Sequence, residues 1–333
     1  MTSSNSSEKN LILGLVKGYN FEQIKPFLVS LKKSGYQGDI GFVVSELSPL
    51  TLAALQDYAV NLYPFKEINF IVPFLTKSGK IEIRALPLYK LLTKAYFLNR
   101  INYLWSNLLV KILGALSPEK EFIIKSNITK RFVNTSCVRY PLYYLYLSRY
   151  GQNYSKIMLT DVRDVLFQRN PFDFEFEDGL CCFLEDEGQT IGSSEGNMAW
   201  LRQGFGDRII SQIADKGISC SGTTIGSHAS IMRYLEAMVN TLLKLKAHPW
   251  GIDQGVHNYI LYQGLVKNVK FYKNFQGPIL TIHYLNDETL RFDKQGFLIN
   301  EDGSIINVLH QYDRLKPEIK NKILVYRDSE CTT

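Results

Sequence analysis

What most constrains this chain is an alternation near its start, where short apolar runs take turns with stretches of helical period. Asn10 to Val16 (NLILGLV) reads as a buried strand, and residues 21–34 then place Ile24, Phe27, Leu28 and Leu31 on one helical face. Gly35 stands where that helix should stop. Asp39 to Ser45 is a second short strand, and Ser48-Pro49 opens a second helix carrying Leu52, Leu55 and Tyr58. Asn69 to Val72 reads as a third strand. The pattern β-α-β-α-β requires a parallel sheet with right-handed crossovers. The turn after the first strand is then a candidate nucleotide site. Gly18 lets the backbone approach a ligand closely, and Tyr19 follows it. No G-x-G-x-x-G or Walker loop is present, so neither dinucleotide nor P-loop binding is indicated.

The second feature is the stretch KIMLTDVRDVLFQRNP at residues 156–171. An apolar run breaks into Asp161 and Asp164, which puts two carboxylates at the carboxyl edge of a sheet. Three residues apart across a turn, they can face one hard divalent cation. The plainer reading is a turn whose aspartates cap local backbone groups. Just upstream, residues 139–149 form an amphipathic, tyrosine-rich helix, on which Arg139 is a candidate for meeting a diphosphate.

Downstream, Gly179 to Leu184 reads as a buried strand, and the three acids Glu185, Asp186 and Glu187 read as a solvated loop. Residues 219–227 (SCSGTTIGS) are small and polar. Gly222 there suits close approach to a sugar or phosphate, or equally a strand-loop-helix join. Residues 229–245 form a helix. Asp253 and Gln254 stand at the start of another, where capping alone would explain the aspartate. A late strand over residues 305–309 ends at His310. Such a histidine is commonly structural, and becomes a third metal ligand if the acidic turn lies nearby.

Composition excludes several classes. The 333 residues are 45% hydrophobic and 21% charged, as in an ordinary globular protein. A net charge of +6 is too mild for a nucleic-acid binder, and no such motif is present. Five scattered cysteines without a C-x-x-C pair support neither structural zinc nor a disulfide framework. The start of the chain lacks the apolar core of a signal peptide, so the four N-x-S/T sequons read as coincidence and a reducing cytoplasm is the expected location. Residues 101–116 are apolar but shorter than the roughly 20 needed to span a bilayer. A buried helix is the expectation, with an interfacial helix at the inner membrane face as the alternative.

Taken together, four motifs resemble those of glycosyltransferases of the GT-A fold, within a group of nucleotide-diphospho-sugar transferase-like proteins. They are LTDVRDVLFQRNPF at 159–172, CSGTTIG at 220–226, DQGVHNY at 253–259 and HQYDR at 310–314. The acidic turn departs from the usual Asp-x-Asp of that fold, and Asp164 is the favoured inner-sphere ligand with Asp161 nearby. The resemblance implies a single α/β domain with a Rossmann-like mixed sheet flanked by helices. On that reading residues 1–9 are a disordered tail and 10–314 are the domain: 10–72 the nucleotide half, 74–120 a helical insertion, 156–314 the metal and acceptor half. Residues 315–333 are a C-terminal tail. It further implies Mn²⁺ or Mg²⁺ held by Asp161, Asp164 and His310, and a UDP- or GDP-sugar donor contacted by Gly18, Tyr19, Arg139, Gly222 and Gln254. The acceptor would be a glycan, a lipid or a small molecule. Asp253 is the candidate base of an inverting enzyme; in a retaining one, Asp253 or Gln254 would touch the donor sugar. The alternatives are a nucleotide-sugar binder without turnover and a membrane-surface scaffold.

Overall fold

The computed structural model describes residues 9–75, 81–87, 90, 101, 104–105, 107–113, 120–175, 178–245 and 248–328. Its first part follows the expected alternation. β1 (Lys9–Lys17) leads through α1 (Phe21–Lys33) to β2 (Asp39–Ser45), then through α2 (Pro49–Gln56) to β3 (Asn61–Pro64). Asn20 starts α1 with a reciprocal cap, its side chain accepting from the Gln23 amide while the Gln23 side chain accepts from its own. Ser48 caps α2, with Pro49 in the first turn. Gly35, at φ +77°, takes the left-handed conformation that ends α1. β1 pairs in parallel with β2, and β2 with β3.

The identity of the third strand is corrected. Asn69 to Val72 belongs to β4 (Asn69–Leu75), which pairs antiparallel with β5 (Ile81–Pro87) in a separate two-stranded ribbon. The third parallel strand is β3, only four residues long and ending in proline. As an edge strand it has no neighbour on its outer side to need that missing N–H.

β6 (Tyr154–Thr160) then joins the free flank of β1, again in parallel. The chain therefore winds away from β1 on one side and returns on the other. Open α/β sheets bind ligands in the crevice at that reversal. After β6 come β7 (Val165–Phe167), β8 (Leu180–Leu184), β9 (Ser219–Ser227), β10 (Val269–Tyr272), β11 (Ile279–Thr281) and β12 (Val308–His310). β9 inserts antiparallel between β6 and β8, giving a mixed seven-stranded sheet in the order β10-β8-β9-β6-β1-β2-β3. The small polar stretch 219–227 is thus an inner strand of the sheet. A second sheet has the order β11-β12-β7.

The later helices are α3 (Glu121–Thr129), α4 (Thr135–Tyr150), α5 (Glu195–Phe205), α6 (Asp207–Ile213), α7 (His228–Lys244), α8 (Ile252–Tyr262) and α9 (Pro317–Asp328). Strand alternation divides the core in two. Leu11 and Leu13 of β1 face α4, α7 and α8, whereas Ile12 and Val16 face α1. The amphipathic reading of α4 is corrected: every residue from Cys137 to Leu147 is buried, as in a helix enclosed on most sides. α9 lies in the span read as a tail and buries Ile323 in a third apolar cluster.

Residues 1–8 lie outside the described residues, and Lys9 already belongs to β1. The reading of 101–116 as a buried helix is also corrected where residues are described. Positions 107–113 are helical, but Leu104, Trp105, Leu108 and Ile112 are exposed. Among the described residues no helix is long and apolar enough to cross a membrane.

Candidate metal centre and cleft

The centre forms where β6 ends. The Asp161 amide donates to the Gly222 carbonyl at 2.7 Å, which ties the turn to β9. Three residues on, the Asp164 carbonyl accepts from the amides of Gln311 at 2.6 Å and Tyr312 at 3.3 Å. β12 runs antiparallel to β7 with His310 opposite Val165, so the register delivers the imidazole to the acidic turn. One ligand atom each from Asp161, Asp164 and His310 lies within 4.8 Å of the others. The three residues expected to hold a metal are brought together.

Their electrostatics differ. Burial opposes the charge on Asp161, but the Arg139 guanidinium and His310 outweigh it and hold the carboxyl below its usual range. Burial raises Asp164, and the Asp161 and Asp313 charges add to that rise. His310 is fully buried. Burial pushes its pKa down, yet Cys220 and the two carboxylates carry it well above the ordinary value. Its Nδ1 lies 3.6 Å from the Cys220 sulfur and its Nε2 lies 3.6 Å from Asp161 Oδ2. That Nε2 has no hydrogen-bond partner, a costly state for a buried nitrogen. Two carboxylates and one imidazole suit a divalent ion such as Mn²⁺ or Mg²⁺, and the unpartnered nitrogen fits a ligand role. Gly222 completes the cradle, since a Cβ there would stand 2.6 Å from both Asp161 Oδ2 and His310 Nε2.

Arg139 sits beneath this centre. One terminal nitrogen pairs with Asp161, and the other lies 2.7 Å from Asp253 Oδ2 and 3.2 Å from Ser221 Oγ. Arg139, expected to meet a diphosphate, is a largely buried link between two carboxylates and also lines the cleft. Asp253 is in the second position of α8, whose cap is Gly251 at φ +84° with no side-chain cap bond. The capping explanation of Asp253 is corrected: the side chain turns inward to Arg139. The Gln254 amide donates to Glu185 Oε1 at 3.1 Å, and its oxygen accepts from the Ser221 amide at 3.5 Å. The rest of that motif is structural. His257 bonds Ser219 and Tyr234, and Asn258 bonds the backbone of Ser219, which pins α8 to β9.

Glu185 is the functional candidate that sequence reasoning missed. It is buried rather than solvated, and Oε2 has no partner. Burial raises its pKa to about 7, against the lowering effect of Gln254. A signal was present: Glu185 follows the apolar run of β8 just as Asp161 follows that of β6.

Arg139, Asp161, Asp164, Glu185, Asp253 and Gln254 line a cleft of about 400 Å³, within the range of small-molecule sites. Tyr19, Glu185, Trp200, Gly222, Trp250 and Gln254 form parts of its wall. Gly18, at φ +68° with its amide donating to Ser45, turns the chain so that Tyr19 enters the wall. Gly251 lets Trp200 approach closely, and the Trp200 and Trp250 rings meet edge to face at 6.2 Å. Comparison with protein-family models finds no match, and comparison with curated proteins finds none.

Proposed function

We propose that the cleft binds a nucleoside-diphosphate-sugar together with a divalent cation and transfers the sugar to an acceptor hydroxyl, in a GT-A type of architecture. The observation that carries this reading is the convergence of Asp161, Asp164 and His310 at the point where strand order reverses. Mn²⁺ or Mg²⁺ held there would neutralise charge building on the diphosphate leaving group. Tyr19, at the end of β1, forms a wall for the nucleoside. Arg139 holds Asp161 and Asp253 in place rather than touching phosphate. Trp200 and Trp250 offer apolar faces to a sugar ring.

The acceptor's proton needs a base. Asp253 is engaged by Arg139, whereas Glu185 has a free oxygen and a pKa near neutrality, where a general base works best. Glu185 is therefore the proposed base of an inverting transfer, with Asp253 in a positioning role. The test is thermal unfolding with UDP, GDP and their sugars, each with Mn²⁺, Mg²⁺ or chelator. A ligand at about 100 times its Kd should stabilise by about 2.7 kcal/mol. A metal-dependent shift with one nucleotide, followed by release of that diphosphate on adding acceptor, supports the reading. No shift with any of them removes it.

A further inference from the structure

Residues 66–120 hold nine Lys or Arg against three Asp or Glu, a net +6. The whole chain is also +6, so the remaining residues are neutral as a set. The same segment carries a concentration of exposed apolar side chains. In the ribbon, register and alternation put Ile71, Pro73, Ile81, Ile83 and Ala85 on one face. Ile71, Ile81 and Ile83 are 77%, 71% and 74% exposed. No third strand joins this ribbon among the described residues, and a lone two-stranded ribbon is marginal in water. Farther along, Leu104, Trp105, Leu108, Leu109, Ile112 and Leu113 follow helical spacing on one side, and all six are exposed.

We infer that the exposed apolar faces of the ribbon, residues 69–75 and 81–87, and of the helical residues 104–105 and 107–113 form a docking surface for an anionic lipid bilayer. Exposed aliphatic and tryptophan side chains would enter the boundary between headgroups and acyl chains, and the net +6 of the segment's sequence would favour an anionic surface over a neutral one. The charge selects this occupant. A second copy of the chain would set one +6 segment against another, whereas an anionic membrane complements it. The docking is peripheral, because no described helix is long and apolar enough to span. The inference is independent of the transferase reading.

The test is sedimentation of the full chain with phosphatidylcholine vesicles, with and without phosphatidylserine. Binding should require phosphatidylserine at about 0.1 M salt and weaken at least about tenfold at 1 M, where the Debye length falls from about 10 Å to about 3 Å. The pairs Ile71→Ser with Ile83→Ser, and Leu104→Ser with Trp105→Ser, should each weaken it about tenfold, with unfolding temperature unchanged. Three results would overturn the proposal: no binding to the anionic vesicles, equal binding to neutral ones, or serine variants that bind like the parent. A dimer in size-exclusion chromatography that the serine variants dissociate would also overturn it, by assigning the surface to a second copy.

Discussion

The two edges of the main sheet treat their polar groups differently. At the amino edge, Tyr154 donates to the Asp39 carboxylate at 2.8 Å, and the Tyr36 hydroxyl lies 2.9 Å and 3.0 Å from the Asn10 and Asp39 carbonyls. These groups satisfy one another, His228 Nε2 being an exception near that edge. At the carboxyl edge, Arg139, Glu185, His310 and Gln311 each leave a buried polar atom unpartnered. Unmade hydrogen bonds are expensive in an apolar interior. One edge is therefore organised to hold itself together, and the other to hold something else.

The largest expected effect comes from the charge link at the carboxyl edge. Removing Arg139 with Arg139→Ala leaves Asp253 buried without its cation and frees Asp161. Breaking a buried ion pair from one side costs about 3–5 kcal/mol. Urea unfolding should show a loss of that size. A loss below about 1 kcal/mol would mean that this edge tolerates unpaired charge as easily as a surface does.

Glu185 comes next, and its effect depends on pH. Its folded pKa is raised by burial to about 7, from 4.5. Between those values the folded chain keeps a proton that the unfolded chain has released, so stability falls as pH rises. The contribution is full below about 4.5 and is lost as pH climbs through about 7. Unfolding free energies from pH 4 to 8 should fall by on the order of 3 kcal/mol more in the parent than in Glu185→Gln. Parallel profiles would show that Glu185 keeps an ordinary carboxylate pKa in the fold and remove the near-neutral pKa on which its choice as the base rests.

The proposed metal centre follows in magnitude. Asp164→Asn removes one ligand and also a like charge beside Asp161, so stability without ligand should hold or rise slightly. Gly222→Ala intrudes on both Asp161 and His310. Each variant should abolish the metal-dependent stabilisation by nucleoside diphosphate, about 2.7 kcal/mol at 100 times Kd. Thermal unfolding with Mn²⁺ and with chelator reads this directly. A full shift in Asp164→Asn would detach the cluster from ligand binding.

How much of this was legible in the sequence follows from how local each cause is. α1 and α2 announced themselves through caps and period, because both signals sit within a few residues. β3 did not, since a four-residue edge strand buries too little to leave a pattern. Asp161, Asp164 and His310 could be proposed as a set because the two aspartates interrupt one apolar run, the histidine ends another, and their motifs carry a family resemblance, although only the register of β12 on β7 brings the last to the others. Glu185 was misread for a different reason. A glutamate in an acid triplet looks solvated, and only tertiary packing around β8 buries it. The exposed side of residues 104–105 and 107–113 went against the favoured buried reading, because apolar spacing reports a face without saying what covers it.

The smallest expected effect belongs to the amino edge, and it is the control for the comparison. Tyr36→Phe deletes a buried hydroxyl that bridges the Asn10 and Asp39 carbonyls while keeping the ring in the core. One such hydrogen bond is worth about 1 kcal/mol, which urea unfolding resolves. The hydroxyl lies at the far end of β1 and β2 from the metal centre, so the Mn²⁺-dependent nucleotide shift should keep its full size in this variant. If that shift shrinks along with stability, ligand binding draws on the whole sheet and the division of labour between its edges fails. If stability falls alone, the polar groups of the amino edge serve the fold and those of the carboxyl edge serve the ligand.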